Sequence, residues 1–416
     1  MTSRERVLAA LNHIEPDRVP MDLGGTITSG ILAGELHKLR RHLGLEERPV
    51  KVYELFQMLG EVELDVVERL QVDVLPVEPP ELEFEFGIRR GHWKPWRLFD
   101  GTEVLVPGRF AVEVGPEGQW LLHQGGDPKA PVVARMPRNG FYFDAVGGMN
   151  RADWDPDFVP PPLEEVRRAA WKLTDEDLHF LQERADYLRR YTDKALVLGP
   201  WGSTGMGYVG SVPDFLCLLA TDKAYVRDLF ALHTELALGN LRRLWEAVGD
   251  RVDIIAITGL DLGTQRGEMI APEVFAELYI PPLKRQFAWV HEHTPWKVWE
   301  HCCGSIPRLI PHLVEAGLDA LNPVQTSAAG MDPRWLKSTF GDRLTFWGGG
   351  VETQTTLAFG TPQEVRQQVR ERIRIFAPGG GYVFGPVHNI QYGVPPENIV
   401  AAFEAALEFG QYPIQV

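Results

Sequence analysis

Apolar positions follow two rhythms along this chain. From about residue 163 onward, short and nearly unbroken apolar runs alternate with stretches of helical period. Residues 195–198, 252–257, 297–302, 318–322, 344–347 and 382–384 read as strands, and most run directly into glycine or polar residues. Two earlier runs, 18–23 and 72–77, have the same character and bring the count to eight. Helices are predicted between them. One spans Asp222 to about Val248. In another, Ile306, Leu309, Ile310, Leu313 and Val314 share a face, Gly317 supplies a C-cap, and Pro311 predicts a kink or a late start. Thr361, Pro362 and Glu364 mark an N-terminus, with Val365, Val369 and Ile373 on the apolar face. Thr2 and Glu5 have capping-box spacing ahead of Val7, Leu8 and Leu11, and residues 28–70 are expected to be mostly helical.

The second rhythm occupies residues 81–145. Leu82, Phe84 and Phe86 alternate with Glu81, Glu83 and Glu85, and Asp100-Gly101, Gly115 to Gly118 and Gly125-Gly126 punctuate short runs, which is hairpin chemistry. A proline-rich connector follows at 156–162. Unbroken apolar strands alternating with helices imply parallel pairing covered on both faces. The expectation is therefore an α/β fold, a single (β/α)8 barrel over residues 1–416 with a β-rich insertion at about 81–145. Its active site would lie at the C-terminal ends of the strands.

Composition narrows the partners. A net charge of −15 over 416 residues argues against a nucleic-acid groove or an anionic membrane surface, and no apolar run is long enough to span a bilayer. Three cysteines, two of them adjacent, give no disulfide framework and fit a reducing compartment. The N-terminal stretch lacks the apolar segment of a signal peptide. The expectation is a soluble cytoplasmic protein, monomer or homodimer.

The sharpest chemical signal is Lys297-Val298-Trp299-Glu300-His301-Cys302-Cys303-Gly304. Side chains alternate along a strand, so His301 and Cys303 share a face and Cys302 turns away to pack. Imidazole and thiolate side by side are two ligands for zinc. A buried cysteine beside a hydrogen-bonded histidine is the alternative. A third ligand should come from another strand end, with His388 the first candidate and Glu352 the second. Asp261 and Asp22 follow strands and are candidates for orienting or protonating a substrate, or else are turn residues. Gln265, Trp201 and Trp347 could contact substrate. Gly348 to Gly350 and Gly379 to Gly381 could cradle an anion or simply form tight loops. Cys217, in Phe215-Leu216-Cys217-Leu218, is expected in the core, and His291 and His293 on a solvated helix.

Several stretches together resemble the uroporphyrinogen decarboxylase superfamily, and in particular its methyltransferase-like branch. They are Arg4-Glu5-Arg6-Val7-Leu8-Ala9-Ala10-Leu11-Asn12 with Pro16-Asp17-Arg18-Val19-Pro20, then Gly199-Pro200-Trp201-Gly202, Asp261-Leu262-Gly263-Thr264-Gln265 and Pro395-Pro396-Glu397-Asn398-Ile399. The resemblance implies a (β/α)8 barrel. True decarboxylases carry a Met-Arg-Gln-Ala-Gly-Arg stretch after the first strand, whose arginines hold porphyrinogen carboxylates. Here the stretch is Met21-Asp22-Leu23-Gly24-Gly25-Thr26. Carboxylates left without those cations would cost several kcal/mol, roughly, in a pocket. The other branch, which includes methylcobalamin:coenzyme M methyltransferases, is zinc-dependent and corrinoid-linked. It carries His-x-Cys at a strand end and a further cysteine near the last strand. This chain matches the pair at His301 and Cys303, but has His388-Asn389-Ile390 at the third position. The resemblance implies methyl transfer between a small N-, O- or S-methylated substrate and the cobalt of a corrinoid (cobalamin) carried by a separate corrinoid protein. A metal-free decarboxylase and a non-catalytic ligand-binding barrel are the alternatives.

Overall fold

Strands with no polar alternation must be covered on both faces, and the core of this molecule is built accordingly. The computed structural model describes residues 1–79, 91–146, 154–199 and 204–415. Among these, seven strands form one curled parallel sheet. We number them β1 (Val74–Val77), β2 (Ala195–Leu198), β3 (Ile254–Gly259), β4 (Lys297–His301), β5 (Ala320–Asn322), β6 (Thr345–Trp347) and β7 (Tyr382–Val383). Neighbours in the sheet are neighbours in this series, and every pair is parallel. Val74, Ala195, Val197, Ile254, Ala256, Trp299, Ala320, Trp347 and Val383 form an inner cluster with Val7 and Leu11 of the first helix (Ser3–Leu11). Alternate residues such as Leu196, Ile255, Val298, Leu321 and Phe346 join the outer core. The first helix begins at the expected capping box, Thr2 with Glu5.

The expected strand at 18–23 needs correction. It makes two isolated bridges, Met21 to Phe384 (parallel) and Arg18 to Gln411 (antiparallel), and no ladder. Its hydrogen bonds reach both edges of the sheet. Phe384 N donates to the Pro20 carbonyl and Asp22 N to the Phe384 carbonyl, while Asp73 N donates to the Met21 carbonyl, each at 2.8 Å. Pro20 has no N–H to extend the pairing, and Gly24 turns the chain away at φ 80°. Residues 28–70 also differ from the helical expectation. Between helices Ala33–His42 and Leu64–Arg69, Val50–Glu54 pairs with Leu59–Gly60 and with Glu103–Pro107. Val50 and Val52, spaced by Lys51, carry the period-two signal.

Residues 93–145 contribute strands to two four-stranded sheets beside the main one. Trp96 meets Phe110 and Trp120 edge-on at 5.2 and 5.4 Å, joining these layers through aromatic contact. The Leu82, Phe84 and Phe86 alternation lies outside the described residues. The helix containing Pro311 starts late, at Ile310, and ends on left-handed Gly317. Cys217 is exposed on helix Val212–Thr221, contrary to the expectation of a core residue. Phe215, Leu218 and Leu219 supply that helix's buried face instead. Among the described residues, no helix is long and apolar enough to cross a membrane.

One repeated device holds the N-terminal ends of the strands. Asp73, Asp253 and Asp319 each immediately precede a strand, and each accepts a backbone N–H from a neighbouring segment: Met21 at 2.8 Å, Leu196 at 2.9 Å and Val298 at 2.8 Å. Buried Asp73 also pairs with Arg6 and Arg18, both at 2.7 Å. Asp253 pairs with Arg4 at 2.7 Å and with Arg189. Removing Asp253 strands the largely buried Arg189 guanidinium and the Leu196 amide, which costs about 3–5 kcal/mol. Asp253→Ala is therefore expected to lose that much stability in urea unfolding. Asp222→Ala removes a helix cap to Tyr225 N, 3.0 Å away, and should lose about 1 kcal/mol. Equal losses would contradict this assignment.

Candidate metal centre

Strand β4 ends at His301, and Gly304 then takes φ 85°. A Cβ on Gly304 would sit 2.4 Å from the backbone of Gly263, so glycine is what lets the loops after β3 and β4 touch. Across that contact Ser305 N donates to the Thr264 carbonyl at 2.7 Å, and Leu260 N to the His301 carbonyl at 2.8 Å. The result is a rigid shelf at the C-terminal end of the sheet.

On this shelf His301 Nε2 lies 3.2 Å from Cys303 Sγ and 3.4 Å from Asp261 Oδ1. The His388 ring, which follows β7, stands nearly edge-on to His301 with centroids 5.4 Å apart. Donor atoms of His301, Cys303 and His388 all lie within 4.8 Å of one another. A tetrahedral zinc with bonds of about 2.0–2.3 Å would space its ligands by roughly 3.3–3.8 Å, so the set is nearly assembled. Asp261 is held in left-handed backbone, φ 41°, with Oδ1 accepting from Cys303 N at 3.0 Å. Aspartate tolerates that conformation better than most residues.

The electrostatics favour a cation. Burial disfavours a charged His301, yet the Cys303 thiolate and the Asp261 carboxylate beside it outweigh burial and push its pKa well up. For Asp261, burial opposes ionisation, but His301 and the N–H of Cys303 hold the carboxyl well below its usual range. His388 goes the other way. Burial, with the neighbouring His301 charge, lowers it to about 4, so it is a neutral donor.

The two histidines are prepared differently. His301 Nδ1 is 2.8 Å from Asn322 Oδ1, leaving the Nε2 lone pair to face Cys303. His388 Nδ1 instead accepts from Asn389 N at 2.7 Å, which places the neutral ring's proton on Nε2. His301 and Cys303 thus fit a zinc ion as they stand. His388 fits after exchanging its tautomer or giving up the Asn389 N–H.

A cavity of about 740 Å³ opens beside these residues and is lined by Cys303, His388, Gln265, Gln325, Gln354 and Tyr392 among others. Gln265, a candidate for substrate contact, is among these lining residues. Glu352 is not part of the donor group; its Oε1 accepts from Thr326 at 2.6 Å. Trp347 is fully buried in the inner cluster, donating from Nε1 to Asp22 Oδ2 at 2.7 Å. Asp22 is likewise fully buried, away from the cavity lining. Trp201 lies outside the described residues. Gly380 and Gly381 pack against His13 and Ile14, remote from the cavity, and Gly349 packs against Val324. Cys302 is buried on the opposite face, its Sγ 3.5 Å from Leu262 N. The sequence reading missed Asn322, Gln325 and Gln354. A polar residue closing the apolar run Ala320-Leu321-Asn322 was the available signal for the first.

The sequence profile of the uroporphyrinogen decarboxylase (URO-D) family matches residues 150–409, well over half of the chain. The chain belongs to the uroporphyrinogen decarboxylase family. A member from Psychromonas ingrahamii, named uroporphyrinogen decarboxylase, is 32% identical over 86 residues. That match covers 21% of this chain and 22% of the relative. A solved structure described as a methyltransferase from Methanosarcina mazei superposes with a TM-score of 0.59 at 16% identity, covering 98% of this chain and 99% of that one. At that identity the likeness establishes a shared fold.

Asp22 offers a test of the buried polar interior of this URO-D family protein. Burial outweighs its hydrogen bonds from Trp347, Ser29 and Gly25 and raises its pKa from 3.8 to about 6. Between those values the folded chain keeps a proton that the unfolded chain has lost. This carboxyl therefore makes stability fall as pH rises from about 4 to about 6, by roughly 3 kcal/mol, and adds no slope above that. The stability of wild type relative to Asp22→Asn, from urea unfolding, should decline over that window and then level off. A pH-independent difference would contradict the assignment.

Proposed function

We propose that this URO-D family protein is a methyltransferase that holds zinc at His301, Cys303 and His388. The methyl group would pass between a small methylated substrate and the cobalt of a corrinoid on a separate protein. The observation that carries this reading is the nitrogen, sulfur, nitrogen donor set opening onto a cavity of about 740 Å³. Three protein ligands with a free position facing a cavity are the pattern of catalytic rather than structural zinc. Bound there, zinc would polarise the substrate heteroatom that carries the methyl group, or lower the pKa of a thiol acceptor.

The chain's own residues supply the rest. Cys303 brings negative charge, and Asp261, fixed by Cys303 N, stands beside it to orient a donor group of the substrate. The described residues lining the cavity offer the amides of Gln265, Gln325, Gln354 and Gln391 and the apolar faces of Phe359 and Val394. Such a lining suits an uncharged ether or thioether better than a polycarboxylate, whose charges need guanidinium partners. Decarboxylation is the second reading, favoured by the name of the Psychromonas relative. We also read the fold as a single (β/α)8 barrel domain, with residues 20–22 as a first strand reduced to its bridge and residues 81–145 as an insertion. The corrinoid partner would approach at the C-terminal strand ends, where the cavity opens.

Metal analysis followed by a methyl-transfer assay tests the proposal. Wild type should bind one zinc per chain, and His301→Ala and Cys303→Ala should lose it. His388→Ala should keep a weakened site, because its ring is not set as a ligand. Methylated ethers, thioethers and amines offered with cobalt(I) cobalamin should change the cobalt spectrum in the wild type only. Full zinc retention in Cys303→Ala would sink the site. Release of carbon dioxide from a porphyrinogen, with no methyl transfer, would favour the second reading.

A further inference from the structure

Asn322 ends strand β5 directly beside His301. The parallel register pairs the two residues, and both side chains are buried, 1% and 3% exposed. Its amide is fixed from three directions. Nδ2 donates to the Trp347 carbonyl at 3.2 Å, and a carbonyl can only accept, so the amide nitrogen must face Trp347. Oδ1 therefore faces the other way. It accepts from Thr28 Oγ1 at 3.1 Å and lies 2.8 Å from His301 Nδ1. Since Oδ1 cannot donate, Nδ1 of His301 must carry the proton. In the neutral ring the lone pair is then confined to Nε2, the atom facing Cys303 Sγ at 3.2 Å.

We propose that Asn322 is the positioning residue of the centre, setting the His301 tautomer and ring orientation so that Nε2 is preformed as a metal ligand. This inference rests on the zinc reading for its consequence, but the tautomer belongs to the metal-free chain. Groups that orient ligating histidines in this way typically change metal affinity 10- to 100-fold, roughly, when removed. Among the described residues no equivalent group prepares His388, whose Nδ1 accepts rather than donates. The centre is therefore asymmetric, with one ligand set in advance and one that must adjust.

The test uses the full chain, zinc alone and two variants. In metal-free wild type labelled with nitrogen-15 histidine, and assigned with His301→Gln, His301 should show a protonated Nδ1. Asn322→Asp keeps the acceptor and should keep that signal, with zinc affinity by chelator competition within a few-fold of wild type. Asn322→Leu removes the acceptor and should give mixed tautomers with affinity weakened about 10- to 100-fold. A wild-type His301 whose Nδ1 carries no proton overturns the proposal, even if neither variant folds. Unchanged tautomer and affinity in Asn322→Leu overturn it as well. If wild type binds no zinc while its His301 tautomer is as expected, the zinc reading fails and the assignment of Asn322 stands.

Discussion

Everything at the centre depends on the register of the parallel strands. Gly259 pairs with His301 and His301 with Asn322, so three adjacent strands end at one level. A slip of one residue would turn His301 and Asn322 to the opposite face and bring Glu300 and Leu321 into their place. The aspartates before β1, β3 and β5 oppose such slips, because each ties its carboxylate to a neighbouring backbone N–H and thereby fixes where the strand begins. The constraint acts at one end of the sheet and the chemistry emerges at the other, an arrangement that separates stability from the site.

The site itself combines a rigid half and an adjustable half. His301, Cys303 and Asp261 belong to touching loops, packed so closely that Gly263 and Gly304 leave no room for a side chain. His388 comes from the far edge of the sheet and is held through Asn389, whose Nδ2 donates to the Ile27 carbonyl and to Gln57 Oε1. A thiolate and a carboxylate beside a single imidazolium leave the group short of positive charge, which is the condition under which a divalent cation is welcome. Replacing a second thiolate by His388 makes the donor set less electron-rich and suits the reading of zinc as a Lewis acid.

Much of this was legible in the sequence, and the reasons for the rest are physical. Seven of the apolar runs and the His301/Cys303 alternation follow from local periodicity, which needs no knowledge of the fold. The segment at 18–23 looked like a strand because Val19, Met21 and Leu23 alternate. Whether it could pair depended on Pro20 and on two distant edges, Asp73 and Phe384. The hairpin at 50–60 was obscured by flanking helical stretches, although Val50 and Val52 announced it. Trp347 and Asp22 were identifiable as unusual but not as partners of each other, since 325 residues separate them in the chain. Asn322 showed only as a polar residue closing an apolar run: its meaning lies in a register to His301 that only the sheet defines.

The central claim is a metal shell of one sulfur and two imidazole nitrogens, with a further position open to substrate. X-ray absorption at the zinc edge of the loaded full chain reads that shell directly. The account predicts one sulfur at about 2.3 Å and two imidazole nitrogens at about 2.0–2.1 Å, with one additional light atom. A shell without sulfur, or one with two sulfurs drawn from Cys302 and Cys303 together, would contradict it.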